Sequence, residues 1–194
     1  MKRIFATVAF GVLLCASGAR AERFSQGSRP HAKHILVGLD TEFGIPLGDY
    51  SDVNSVGAGA MLVGEYPVMN MVGLTARLGF QAHVSRTIGA NLSAHVNAIP
   101  FLLGTKYYMG GEREGLFGAF ELGLFDLMSS VDTPGPRGSV VSNSSNDVKF
   151  GMGAGLGYQE ERWNARVSLH TQDVGNFGRA LTITGGVGYQ FAAF

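Results

Sequence analysis

The residues best suited to chemistry are eight charged side chains that fall on the polar face of alternating apolar and polar segments. Alternation gathers side chains on one face of a β-strand, because successive residues point to opposite faces. Four acids and four bases on such faces could line a path for protons or small solutes, or pair with each other. We expect a paired polar plug, because an unpaired buried charge is costly. The set is Asp40, Glu42, Glu65, Arg77, Lys106, Glu121, Lys149 and Arg166.

Four alternate glycines, Gly151, Gly153, Gly155 and Gly157, resemble a phosphate-binding loop only superficially. They do not fit the G-x-G-x-x-G spacing, and no change from strand to helix follows them. We interpret them as small residues on the inner face of a narrow barrel.

The N-terminus has the three parts of a secretory signal peptide. Lys2 and Arg3 give a positive start, residues 4–16 are apolar, and Ala19-Arg20-Ala21 has the small-x-small pattern of a cleavage site. We expect cleavage before Glu22, so that residues 1–21 are removed. The apolar run is too short for a membrane-spanning helix, which needs about 20 residues.

Lipoprotein processing at Cys15 is the less favoured alternative, because Leu14, and not a small residue, precedes the cysteine. Cleavage before Glu22 removes Cys15 and leaves no disulfide framework and no cysteine metal site. It also removes three basic residues, which leaves 12 Lys and Arg against 15 Asp and Glu. A net charge near −3 gives no reason to expect nucleic acid as a partner.

The composition is unusual for a soluble domain. Charged residues make up 15% of the chain, and there are 29 glycines in 194 residues, whereas about 25% charged residues and about 7% glycine are usual. After residue 21 no apolar run reaches the length of a transmembrane helix. An exported, apolar chain of this kind can still enter a membrane as a closed β-barrel, which satisfies its backbone groups between strands.

Eight segments alternate with a period of two, and most have the 10–13 residues that a tilted membrane-crossing strand needs. We therefore predict an all-β fold, an eight-stranded antiparallel up-and-down transmembrane β-barrel spanning residues 34–194. In the fourth segment the phase breaks near Pro100, where we expect a bulge. The predicted strands are β1 His34–Ile45, β2 Val56–Tyr66, β3 Val72–His83, β4 Leu92–Tyr108, β5 Leu116–Met128, β6 Val148–Gln159, β7 Trp163–Gln172 and β8 Ala180–Phe191.

The connections alternate in length, which predicts an orientation in the membrane. The longer polar loops follow the odd-numbered strands and the shorter turns follow the even-numbered ones, as in outer-membrane barrels with short periplasmic turns. Both termini then lie in the periplasm, including a short segment at residues 22–33. The aromatic residues expected to form a girdle at the periplasmic interface are Tyr66, Tyr107, Tyr108, Tyr158, Trp163, Tyr189 and Phe191.

The last strand carries a family resemblance. Thr184, Gly186, Tyr189 and Phe191 match an outer-membrane assembly signal of a polar residue, a glycine and two aromatic residues, and Phe194 ends the chain. The three residues after Phe191 depart from the commonest, terminal form of that signal. With its eight strands the chain resembles the small OmpA-like and OmpX-like outer-membrane barrels. The resemblance implies insertion by the barrel-assembly machinery of a Gram-negative envelope, with outer-membrane lipid and lipopolysaccharide around the barrel.

Histidines raise the alternative of an enzyme, because some small outer-membrane barrels are lipid-modifying enzymes with His and Ser near the outer rim. His83 and Ser85 fall near the outer end of β3, and His170 falls near that of β7, with His95 as a third histidine. No spacing among them is diagnostic. We expect a non-enzymatic barrel without cofactor or metal.

The longest predicted loop, Ser129–Asp147, is rich in Ser, Asn, Gly and Pro, and we expect it to be mobile. It could be an adhesive or receptor site, or a solvated connection without a partner. The sequence therefore leaves envelope structure and surface interaction as the main hypotheses, and names no surface ligand.

Overall fold

The computed structural model describes residues 34–87, 92–110, 113–134 and 140–194, so the predictions for residues 1–33 lie outside the described residues. Eight antiparallel strands form a closed ring in chain order, which confirms the predicted fold class. The strands are β1 Leu36–Pro46, β2 Asn54–Met69, β3 Val72–Thr87, β4 Ser93–Tyr108, β5 Gly115–Pro134, β6 Val140–Glu160, β7 Trp163–Thr171 and β8 Leu181–Ala193.

Two short helical segments lie at one end of the barrel. The helix α1, Tyr50–Val53, joins β1 to β2, and a 3-10 helix, Val174–Arg179, joins β7 to β8. Within the described ranges, no helix has the length and apolar character that crossing a membrane requires.

The first and last strands close the ring. β1 pairs with β8 from Leu36 opposite Ala193 to Pro46 opposite Thr182. Its register shifts once, because Gly38 lies opposite Gln190 while Val37 lies opposite Ala192, which makes Phe191 the extra residue of a bulge. Backbone hydrogen bonds between Ile35 and Phe194 of 2.8 and 3.0 Å hold the two ends of the barrel chain together.

The bulge expected at Pro100 was wrong. The register of β4 with β5 runs unbroken from Ser93 to Tyr108 across Pro100. Ala98, Pro100 and Leu102 are all buried on the inward face, so this face is apolar where a polar one was expected. The apparent change of phase reflects the composition of the interior. The irregularity lies between β3 and β4, between Gln81 and Arg86.

The loop predicted at Ser129–Asp147 is mostly an extension of β5 and β6. These strands pair without interruption from Gly115 opposite Gln159 to Pro134 opposite Val140, and residues 135–139 lie outside the described part. β7 pairs with β6 only as far as Met152 opposite Thr171, so the outer half of β6 continues beyond the barrel wall. β-Branched residues such as Val131, Thr133 and Val141 suit this pairing despite the Ser- and Asn-rich composition.

The outer face of the ring is apolar and one rim is aromatic. Large apolar side chains of every strand are exposed there, among them Phe43, Leu78, Leu103, Leu124 and Leu156. Exposed aromatic side chains gather at the rim that also holds the chain ends, and Trp163 packs against Tyr189 with ring centroids 4.7 Å apart. The exposed rings of this rim include Tyr66, Tyr107, Tyr158 and Trp163.

Candidate functional site

Arg77 is the centre of a buried charge cluster inside the barrel. Its side chain, on β3, is 1% exposed and meets carboxylates from β1 and β5. Nη2 lies 3.2 Å from Asp40 Oδ2 and also pairs with Glu42, while Nη1 lies 3.1 Å from Glu121 Oε2. One guanidinium thus links three strands across the lumen.

Arg166 reaches the same carboxylates from β7. Its two terminal nitrogens each lie 2.9 Å from one oxygen of Glu121, which is the bidentate geometry that suits a guanidinium and a carboxylate. Arg166 Nη2 also lies 3.6 Å from Glu42 Oε1. Two neutral amides complete the cluster: Gln81 donates to Glu42 over 3.3 Å, and Asn164 contacts Asp40 over 3.4 Å.

A second ion pair lies closer to the aromatic rim. Lys106 Nζ is 3.1 Å from Glu65 Oε2, and the Tyr108 hydroxyl donates to the other oxygen of Glu65 over 2.8 Å. The ammonium also lies 4.7 Å from the centre of the Phe117 ring, which is a cation–π contact. Together with the central cluster, these side chains occupy the lumen from wall to wall.

The inclusion of Lys149 in the interior network has to be corrected. Its side chain is 35% exposed and pairs with Asp147 at 2.9 Å and Asp173 at 3.8 Å, both at the outer end of the barrel. The alternation of β6 gives the correct face. It does not give the height, and the extension of β6 places Lys149 above the closed part of the lumen. Asp173 is held in turn by Asn176, whose side-chain hydrogen bond lowers the pKa of the carboxyl.

Glycines of β6 and β8 make room for the inward side chains of β7. A Cβ at Gly153 would collide with His170, and one at Gly155 would collide with Ser168. A Cβ at Gly188 would collide with Asp40 and Asn164. The inner-face interpretation of the β6 glycines agrees with this geometry, because they form a floor on which longer polar side chains lie.

Part of the interior is apolar, which the sequence analysis missed. A buried cluster on β2, β4 and β5 consists of Met61, Val63, Ala98, Leu102 and Phe125, with Leu127 packed against it. The signal for it is present in β2, because Met61 and Val63 share the alternation phase of the inward Glu65. The lumen is therefore dry along one wall and polar along the opposite wall.

The outer mouth of the lumen is covered by α1. Tyr50 is 7% exposed and packs edge-on against His83, with ring centroids 5.7 Å apart. Burial raises the pKa of Tyr50, although the amides of Gln172 and Asn54 oppose the shift. Arg86 donates to the Ser51 carbonyl and fastens this helix to β3. Sequence alternation could not find this lid, because it lies in a connection.

The three histidines do not form one site. His83 lies under Tyr50, with its ring nitrogen Nδ1 2.9 Å from the Val96 carbonyl. His170 lies deeper, opposite Gly153 and Thr182, and His95 is on β4 opposite Ser130. Within the described ranges, no group of three or more metal-ligating side chains is close enough to hold a metal ion.

The residues of the proposed assembly signal lie along β8. Thr184 and Gly186 are on the inner face, opposite Gly44 and Glu42 of β1. Tyr189 lies opposite Trp163 on the outer face, and Phe191 is the bulged, half-buried residue. Phe194 is exposed at the end of the chain. Their role in assembly stays a prediction.

Comparisons with known proteins bear on the fold. The sequence matches no protein-family model and no curated protein. Among solved structures, Ail, the attachment invasion locus protein of Yersinia pestis, has a TM-score of 0.58 at 14% identity, over 84% of this chain and 100% of Ail. Ail in complex with the heparin analogue sucrose octasulfate gives a TM-score of 0.57, with the same identity and coverage.

The N-terminal β-barrel domain of Pseudomonas aeruginosa OprF gives a TM-score of 0.51 at 18% identity, over 82% of this chain and 97% of that domain. At such identities the likeness shows the fold. The fold is therefore that of the small eight-stranded outer-membrane barrels, as the resemblance in the sequence implied.

Proposed function

We propose that this eight-stranded barrel of the outer-membrane type is a non-enzymatic protein of the outer membrane, with a lumen closed by side chains and an outer sheet extension available for surface interactions. The observation that carries the proposal is the buried cluster of Arg77, Arg166 and their three carboxylate partners. An eight-stranded barrel is just wide enough to be filled by side chains, and these side chains fill it.

The outer face supports placement in a bilayer. A lipid-facing surface must be apolar, because an exposed Lys or Arg at the midplane costs about 2–4 kcal/mol. The described charges of the central strands point inward, while the outer face carries large apolar side chains. The aromatic rim suits a headgroup region. Since the chain ends lie at that rim, we place both termini in the periplasm, with outer-membrane lipid and lipopolysaccharide around the barrel.

The sheet extension beyond the wall is the surface available to partners. β5 and β6 are 20 and 21 residues long, and their outer halves carry mainly Ser, Asn and Thr. This composition favours hydrogen bonding to a polar partner over electrostatic capture of a charged one.

A sulfated ligand of the kind bound to Ail fits this end of the barrel less well. Its described basic side chains are engaged: Lys149 pairs with Asp147 and Asp173, and Arg179 pairs with Asp49. The same end also carries the acidic residues Asp52 and Asp132, so its charge is unsuited to a polyanion.

Labelling of single cysteines in whole cells tests the placement. The chain after residue 21 has no cysteine, so one introduced thiol gives an unambiguous signal. We expect Ser144→Cys, on the outer part of β6, to react in intact cells with a maleimide polymer too large for porins. Met109→Cys, exposed at the opposite end, is the matched control and should react only after lysis. The reverse pattern, or recovery of both variants from the soluble periplasm, would contradict the proposal.

A further inference from the structure

The inward side of β7 carries an unusual row of polar side chains. Four of them lie on β7 and the fifth directly follows it, and each is at most 6% exposed. Each has a buried polar atom that no described donor or acceptor reaches within hydrogen-bond distance. The row consists of Asn164 Oδ1, Arg166 Nε, Ser168 Oγ, both ring nitrogens of His170, and Gln172 Oε1.

The row continues onto neighbouring strands at both ends. Thr182 on β8, opposite His170, also has an unpartnered buried hydroxyl, and so does Tyr50 above Gln172. At the other end Gln159 on β6, opposite Asn164, has an unpartnered carbonyl oxygen. The unpartnered atoms therefore form one file along the wall, from beneath the α1 lid to the β6–β7 turn.

Leaving these atoms without partners would be costly. A buried donor or acceptor without a hydrogen bond costs about 1–3 kcal/mol, and such groups in native proteins bond to protein or to ordered water. Inward residues of a strand repeat about every 6.8 Å. Two hydrogen bonds of about 2.8 Å to a shared water cover most of that step. A file of polar groups at this spacing suits water as its ligand.

The surroundings provide room on this wall. The strand-facing neighbours of the row are glycines, Gly153 and Gly155 on β6 and Gly186 and Gly188 on β8. Beside it lies a cavity of about 10 Å³ lined by polar groups that include Glu42, His83, Thr182 and Thr184. This is about the space that one water molecule needs, and the lining offers several partners to bond it.

We propose that the β7 wall is a binding site for a file of ordered water molecules, bonded to the inward side chains of Asn164, Ser168, His170 and Gln172. Tyr50 and Gln159 are both almost fully buried, so the file is enclosed at its two ends. The site holds water as part of the plug and forms no open channel. The opposite wall, with Met61 and Ala98, has no polar side chain to bind water and stays dry.

Water-to-methyl cross-relaxation by NMR, on the barrel in lipid nanodiscs, tests this site directly. The methyl groups of Thr182 and Thr184 report on the wet wall, and those of Met61 and Ala98 report on the dry wall within the same molecule. We expect cross-peaks to water at the two threonines and none at Met61 or Ala98. Absence of cross-peaks at both threonines, or equal cross-peaks on both walls, would overturn the proposal.

A filling substitution gives a second readout. Ser168→Val adds apolar volume opposite Thr184, so the water cross-peak at Thr184 should be lost while that at Thr182 persists. Val167→Ala, the neighbouring residue that faces outward, is the control and should leave both cross-peaks intact. Persistence of the Thr184 cross-peak in folded Ser168→Val would contradict binding at Ser168. The wild-type pattern decides the question even where that variant does not fold.

Discussion

Single residues of the interior differ sharply in what their removal exposes. Arg77 holds three carboxylates in a site closed to solvent, whereas Arg179 pairs with Asp49 where both side chains are about 70% exposed. A buried charge that loses its partner keeps its desolvation cost, while an exposed pair is screened by water. The two arginines are therefore a matched pair for separating burial from charge.

We expect Arg77→Ala to lower the free energy of unfolding by about 3–5 kcal/mol, because Asp40, Glu42 and Glu121 are left with one guanidinium. Arg179→Ala should change it by less than about 1 kcal/mol. Urea unfolding in micelles measures both, with Trp163, the only tryptophan of the chain, as the fluorescent probe. Equal effects of the two substitutions would show that the central cluster is not a structural plug.

The charge cluster was largely predictable from the sequence, because alternation fixes which face a residue occupies. Asp40, Glu42 and Arg77 share a face with their apolar neighbours pointing away. Alternation does not fix how high a residue lies along the barrel, which is why Lys149 was misplaced. It also fails where the interior is apolar, as at Leu102 and Phe125, because hydrophobicity alone does not distinguish a filled lumen from a membrane.

Among the elements, β8 combines closure of the ring with the proposed assembly signal. It is the last strand to be made and pairs with β1 through a bulge at Phe191. Before closure its edge is free, and a free edge with an outward aromatic residue is a surface that an assembly machine can bind. Tyr189 also packs on Trp163 at the aromatic rim, so the same strand contributes to stability.

We predict that Phe191→Ser is exported but fails to insert, so that the chain stays in the periplasm and is degraded. Gln190→Ala should assemble much better, because Gln190 lies opposite Gly38 on the inner face. The fraction of heat-modifiable barrel in membranes measures both. Normal assembly of Phe191→Ser together with failure of Gln190→Ala would reverse the roles assigned to the two positions.

The β5–β6 hairpin shows what element prediction from composition misses. Ser, Asn, Gly and Pro between residues 129 and 147 indicated a mobile loop, but pairing reaches Pro134 opposite Val140. Once two strands leave the wall in register, their backbone groups continue to bond each other, and the polar side chains tolerate both faces in water. Alternation of apolar residues, the usual signal for a strand, is absent where neither face is buried.

At the scale of the whole molecule, the interior decides between a scaffold and a pore. The ring is closed by eight strands, the central cluster joins β1, β3, β5 and β7 across the lumen, and α1 covers the outer mouth. Since the walls are held together through the lumen, a path for ions would require the breaking of buried ion pairs. Water held along β7 is compatible with this closure, because it is bound and enclosed.

Conductance of the purified barrel in planar lipid bilayers tests the closed lumen most directly. The structure predicts insertion without steady current, because the Arg77 and Arg166 pairs with Glu121 and Glu42 span the interior. Protection of the barrel from protease in the same membranes would verify that the protein had inserted. Large, steady, porin-like currents from inserted wild-type protein would contradict the account.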